Sequence, residues 1–262
     1  MIKSNWWEEK EGFFGEFYKE GDDSTEGAYY DRKLNREERT REEISGVIKL
    51  CKLKKNSKVL DCPCGWGRHS IELSKNGIIM TGADLNSYEL KVAKQEAKRQ
   101  KVKVRFVKKD MRRIDYKNQF DAVMNMWYSF GFFEDEKDNI KSLKNFYNAL
   151  KPGGRFLMHT HKNVPWIVAG NSKEYEKRKL RKGGFLRQIE FYEPRSKRNY
   201  GIWILEKNGS VSFRDYFVRL YTKEEFTGMC KKVGFKKVEF YSGWDGEKYS
   251  KEERTMIAVA TK

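Results

Sequence analysis

Three short apolar runs in the first half of this 262-residue chain each end on an aspartate, and helical periodicity follows the first two. "KVLD" closes on Asp61, "IIMTGAD" on Asp84 and "VKVRFVKKD" on Asp110. Short runs of this kind read as strands buried on both faces, and i, i+3, i+4 spacing between them reads as helix. Two further runs, Phe120–Met126 and Arg155–His159, flank a helical segment with Ile140, Leu143, Tyr147 and Leu150 on one face. Repeated strand–helix–strand units require a parallel sheet with helices on both faces. A ligand of such a sheet sits at the carboxyl ends of the strands, which is where the aspartates fall.

Around that core the pattern changes. Residues 1–34 are rich in aromatics and glycine and are expected to form a lid over residues 35–165. Asn35 with Glu38 three residues on predicts a capping box, and Ile44, Val47, Ile48 and Cys51 share one face of the helix that follows. Asn86 with Glu89 repeats the capping pattern. From Gly184 the runs lengthen and alternate: "GFLRQIEFYE", "NYGIWILE" and "SVSFRDYFVRLY" read as antiparallel strands, the last two joined at Asn208-Gly209. This block, residues 166–221, is expected to be a cover inserted into the core. Thr222 caps a further helix, and two strands within residues 222–262 complete the core sheet.

Lysine and arginine outnumber aspartate and glutamate 55 to 38, a net charge of +17. Such an excess suits an anionic partner such as nucleic acid, or simply a lysine-rich solvated surface. Cys51, Cys62, Cys64 and Cys230 lack zinc or disulfide spacing, and no metal site is expected. No apolar run is long enough to cross a bilayer, and the first residues lack the apolar stretch of a signal peptide, so a cytoplasmic location without membrane association is expected.

The turn "DCPCGWGRH" decides the ligand. Gly65 and Gly67, after Asp61, let backbone approach a ligand closely. Asp84, with Leu85 beside it, can accept both hydroxyls of a ribose. Asp110 can take an adenine amino group while the Met111 N–H meets a ring nitrogen. An adenosine satisfies this set without a pyrophosphate. Arg68 and His69 can cap or line the turn.

Over about Arg39 to Met158 the sequence resembles the class I S-adenosylmethionine-dependent methyltransferases. Their usual turn is D-x-G-x-G-x-G; Pro63 stands at the first glycine, which is acceptable where that N–H does not face the ligand. "ERT", "CGWGRH", "DMR" and "NMWYSFGFF" resemble glycine N-methyltransferase and the aminosugar N,N-dimethyltransferases more narrowly. The resemblance implies a Rossmann-like fold with a mostly parallel seven-stranded sheet. It also implies Arg39 on the methionine carboxylate, where a guanidinium pairs through two hydrogen bonds. Tyr29 would pack on the cofactor, and the Met126 carbonyl would take the methionine ammonium.

The expected reaction is direct methyl displacement on a small-molecule acceptor, an amine by that resemblance, yielding S-adenosylhomocysteine. Trp127, Tyr128 and Phe130 follow the fourth strand beside the expected methyl, and Tyr128 is a candidate for the chemistry. His159 and His161, two residues apart at the end of the fifth strand, are the candidate bases. Two other readings stay open: an RNA or protein methyltransferase docking through the basic stretch 173–198, and a non-catalytic module that retains the adenosine pocket. The antiparallel block can also pair two copies as a homodimer.

Overall fold

The computed structural model describes Trp6 and residues 12–23, 34–172 and 174–262; Tyr29 lies outside the described residues. A short helix α1 (Glu16–Gly21) precedes α2 (Arg36–Leu50). The alternation then runs β1 (Lys58–Asp61), α3 (Arg68–Lys75), β2 (Ile79–Asp84), α4 (Ser87–Arg99), β3 (Val104–Lys108), β4 (Phe120–Asn125), α5 (Glu136–Ala149) and β5 (Leu150–Thr160). A helical turn α6 (Val164–Trp166) leads to β6 (Tyr175–Lys179), β7 (Phe185–Glu193), β8 (Arg198–Lys207) and β9 (Ser210–Arg219). The chain closes with α7 (Lys223–Val233), β10 (Lys237–Tyr241) and β11 (Met256–Thr261).

Seven strands form one sheet in the order β10-β11-β5-β4-β1-β2-β3. β11 is antiparallel to both neighbours, and the other pairings are parallel. Apolar residues fill both faces: Leu60, Val123, Phe146, Phe156 and Phe226 on one side, and Val47, Val59, Leu73, Met124 and Leu157 on the other. Local signals explain the element ends. Asn35 and Thr222 each form a full capping box with Glu38 and Glu225, which satisfies N–H groups a helix start leaves open. Asn208 and Gly209 both take the left-handed backbone that a two-residue hairpin requires.

Three details depart from the sequence expectation. The buried stripe of α5 is Leu143, Phe146 and Ala149, so Tyr147 lies at its margin. Lys151-Pro-Gly-Gly lies inside β5, whose pairing with β4 shifts register there. The basic stretch before Gly184 contains β6, which joins β7, β8 and β9 as a four-stranded antiparallel sheet. That sheet turns Leu186, Trp203, Leu205, Tyr216 and Val218 inward, onto Phe13 and Phe132. Among the described residues no helix is long and apolar enough to cross a membrane.

Candidate cofactor site

A cavity of about 130 Å³ opens at the carboxyl ends of β1, β2, β3 and β4. Its floor is the turn after β1: Cys62, Pro63, Cys64, Gly65 and Trp66 all line it. Gly65 and Gly67 have φ of 51° and 79°. At Gly67 a side chain would also strike Phe106 at 2.8 Å, so the glycine is needed for both conformation and space. The Gly65 N–H donates to Asp84 Oδ2 at 2.8 Å, and the Asn86 N–H donates to Asp84 Oδ1 at 2.9 Å. Each oxygen retains lone-pair capacity toward the cavity, as a ribose diol needs.

Leu85, Asp110, Met111 and Met126 line the same cavity, so Pro63, Gly65 and Asp84 have the neighbours the sequence predicts. Asp110 is less open than expected. Arg112 Nε and Nη2 grip its carboxylate at 3.0 and 2.6 Å, and the Arg112 N–H adds a bond at 2.8 Å. Met126 lines the wall, and its carbonyl accepts the Ser129 hydroxyl at 2.7 Å.

Other predicted residues sit elsewhere. Asp61 is buried beneath the turn, accepts the Ser70 hydroxyl at 2.7 Å, and is pushed up to about 7 by burial. Gly67 starts α3 and does not line the cavity. Arg39 is buried; its Nη2 reaches both Asp22 oxygens at 3.2 and 3.0 Å, and its guanidinium lies 4.2 Å from the Trp127 ring centre. The carboxylate it was expected to find in a ligand is supplied here by the N-terminal segment. Arg68 is the arginine in the wall.

His159 and His161 do not line the cavity either. Burial drives His159 down to about 3 and His161 well below the ordinary range, so both rings are neutral at pH 7. His159 Nδ1 accepts the Trp127 N–H at 3.3 Å, which puts the ring proton on Nε2. Tyr128 packs on His161 with ring centres 4.6 Å apart, and its hydroxyl is 3.4 Å from that of Tyr216. The Tyr216 hydroxyl donates to Glu190, which also pairs with the buried Lys162. Trp127 and Tyr128 have φ of 56° and 45°, left-handed backbone without glycine; such strain persists only where surroundings impose it. Phe130 belongs to the core, against Tyr221 and Phe226. Among the described residues no cluster of His, Cys, Asp and Glu could hold a metal.

Sequence reasoning missed Glu89. Its backbone N–H donates to the Asn86 side-chain oxygen as expected, but its side chain turns into the cavity wall instead of closing the box. Glu89 Oε1 accepts the Gly15 N–H at 2.9 Å, and a side chain at Gly65 would meet its carboxylate at 3.0 Å. Burial first, and then the charge of Asp84, push it up to about 8. The roof over the cavity is aromatic: Trp6, Phe14 and Tyr18 from the N-terminal segment, with Phe132 and Phe133 opposite.

Residues 59–154 match the family model described as a methyltransferase domain. A putative methyltransferase, YqeM of Bacillus subtilis (strain 168), is 34% identical over 110 residues, 42% of this chain and 44% of that protein. A glycine/sarcosine N-methyltransferase of Parasynechococcus marenigrum (strain WH8102) is 31% identical over 145 residues, 55% of this chain and 51% of that protein. The chain thus spans about half the length of the curated relatives it matches. The CcbJ methyltransferase structure from Streptomyces caelestis superposes with a TM-score of 0.75 at 16% identity, covering 92% of this chain and 97% of that one. Residues 59–154 of the core thus match a methyltransferase domain, and the chain shares its Rossmann-like fold with this solved methyltransferase.

Proposed function

We propose that this methyltransferase domain transfers the methyl group of S-adenosylmethionine to a small-molecule amine. The observation that carries the reading is one cavity that collects Pro63, Gly65, Asp84, Leu85, Asp110, Met111 and Met126 under an aromatic roof. When bound, the cofactor supplies a methyl already activated by its sulfonium. The chain's own residues then bind, align and exclude water. Asp84 holds the ribose, Met111 and Asp110 border the adenine, and the turn at Gly65 admits the methionine part. Aromatic faces of Trp6, Tyr18 and Trp127 suit a cationic sulfonium or amine. Tyr128 does not line the cavity, although Trp127 and Ser129 on either side of it do; it is the group put forward to reach an acceptor beyond them. His159 and His161 act behind it as neutral, buried rings.

Small-molecule sites usually enclose about 300–1,000 Å³, more than this cavity holds. The amine is favoured over RNA or protein because several side chains of the basic stretch are paired with carboxylates of the same chain. Arg181 pairs with Asp23 and Glu37, Arg187 with Glu206, and Lys197 with Glu225. The glycine/sarcosine N-methyltransferase relative adds support for an amine. Methyl-labelled S-adenosylmethionine incubated with the protein and a panel of primary and secondary amines, with RNA and protein in parallel, tests the assignment. Label confined to amines is expected; label in RNA or protein alone contradicts it.

The partner we propose besides substrate is a second copy. The outer face of the four-stranded sheet exposes Tyr175, Phe185, Ile189, Phe191, Val211 and Phe213, with Phe213 65% exposed. At roughly 150–250 Å² per aromatic side chain, these leave on the order of 600 Å² of apolar surface. That is at the upper end for a monomer and close to the ~800 Å² per partner of a stable interface. Light scattering across a dilution series should report twice the 31.2 kDa chain mass; monomer throughout contradicts it.

A further inference from the structure

We infer that Glu43, which does not line the cavity, is a positioning residue that holds Trp127 and Arg68 in the cavity wall. The inference rests on the methyl-transfer reading only for what the wall binds. Glu43 lies on the buried side of α2 and is 0% exposed. Its two oxygens serve three side chains from two other parts of the chain. Oε1 accepts Trp127 Nε1 at 2.7 Å; Oε2 accepts Arg68 Nη1 at 2.6 Å and meets His69 Nε2 at 2.7 Å. A carboxylate only accepts, so the neutral His69 ring carries its proton on Nε2. Burial alone would raise the Glu43 carboxyl, yet Arg68 and His69 hold it far below the ordinary range. It is therefore a full negative charge in the interior, at the meeting point of α2, the start of α3 and the loop after β4.

That placement answers a question the wall itself raises. Trp127 holds left-handed backbone without glycine, and its indole faces two guanidiniums, Arg39 at 4.2 Å and Arg68 at 5.4 Å. The His159 bond fixes its backbone, and Glu43 fixes the far end of its ring. The same carboxylate neutralises Arg68, whose Nη1 is also held by the Thr40 hydroxyl at 2.7 Å. Without that carboxylate, the part-buried indole N–H would lose the Glu43 bond and the guanidinium would keep only Thr40 of these two partners, and an unsatisfied donor away from water is costly.

Glu43→Gln separates these roles. An amide oxygen can still accept from Trp127, but its NH2 then confronts Arg68 and His69, which are donors themselves. Two readouts are required. In protein labelled with 15N-tryptophan, the indole resonance of Trp127, identified by its loss in Trp127→Phe, should shift in Glu43→Gln and lose exchange protection. The remaining tryptophans should stay in place, which also reports that the variant is folded. Binding of S-adenosylhomocysteine should weaken by tenfold or more in Glu43→Gln. The double variant Glu43→Gln/Trp127→Phe should be no weaker than the worse single one, the non-additivity of residues acting together. An unmoved Trp127 resonance overturns the inference, and so does unchanged affinity where the wild type binds. Wild type that fails to bind S-adenosylhomocysteine overturns the methyl-transfer reading instead, and the indole resonance still decides the role of Glu43.

Discussion

The two sheets of this protein handle buried charge in opposite ways. At the ends of the parallel strands, Asp84 and Glu89 are buried yet keep capacity toward a cavity, each tied to the protein by backbone N–H groups. Under the four-stranded sheet, Glu190 is closed off: Lys162 and the Tyr216 hydroxyl bond its two oxygens, and it does not line the strand-end cavity. The first arrangement leaves a ligand something to bind. The second fastens the cover to the end of β5. Polar burial alone therefore does not mark a site; residual bonding capacity facing open space does.

That contrast can be broken most forcefully at Lys162. Lys162→Met leaves Glu190 charged without its partner, and removing one member of a buried pair typically costs about 3–5 kcal/mol. Urea unfolding should show a loss of this order. The more moderate variant Tyr216→Phe, which removes one donor to Glu190, should cost about 1–2 kcal/mol and leave cofactor affinity within roughly twofold. A large affinity loss would place the buried network in the site and erase the distinction.

A smaller effect is expected at Glu89. Its folded value, about 8, lies above the ordinary carboxyl range, so the fold favours the protonated form. Stability is then greatest below the unfolded value and declines as pH rises toward 8. Thermal melts at pH 6 and pH 8.5 should show Glu89→Gln losing less stability than wild type. Equal losses would mean that Glu89 is charged throughout. The smallest effect should come from Phe213→Asp on the outer sheet face: unchanged melting of the subunit within about 0.5 kcal/mol, with the shift confined to oligomeric mass.

Local rules made much of this legible. The Asn35 and Thr222 caps, the Asn208-Gly209 hairpin and the glycine turn each depend on residues a few positions apart, and all stand where the sequence put them. What escaped depends on distant partners. β6 carries Glu176, Lys177, Arg178 and Lys179 and has no alternation of its own; pairing with β7 makes it a strand. Glu89 matched a helix-cap pattern, while Gly15, 74 residues away, claims its carboxylate. Arg39, which the family resemblance puts on a ligand carboxylate, meets Asp22, 17 residues upstream, in a pairing that no local pattern announces. His159 and His161 are the candidate bases in the sequence, whereas tertiary packing encloses both of them.

The most direct test of the account is calorimetric titration of S-adenosylhomocysteine into wild type and Asp84→Ala. One-to-one binding by wild type, weakened roughly 100-fold in the variant, or about 2.7 kcal/mol, is the predicted result. No binding by wild type, or equal binding by both proteins, would contradict the claim that the strand-end cavity is the cofactor site.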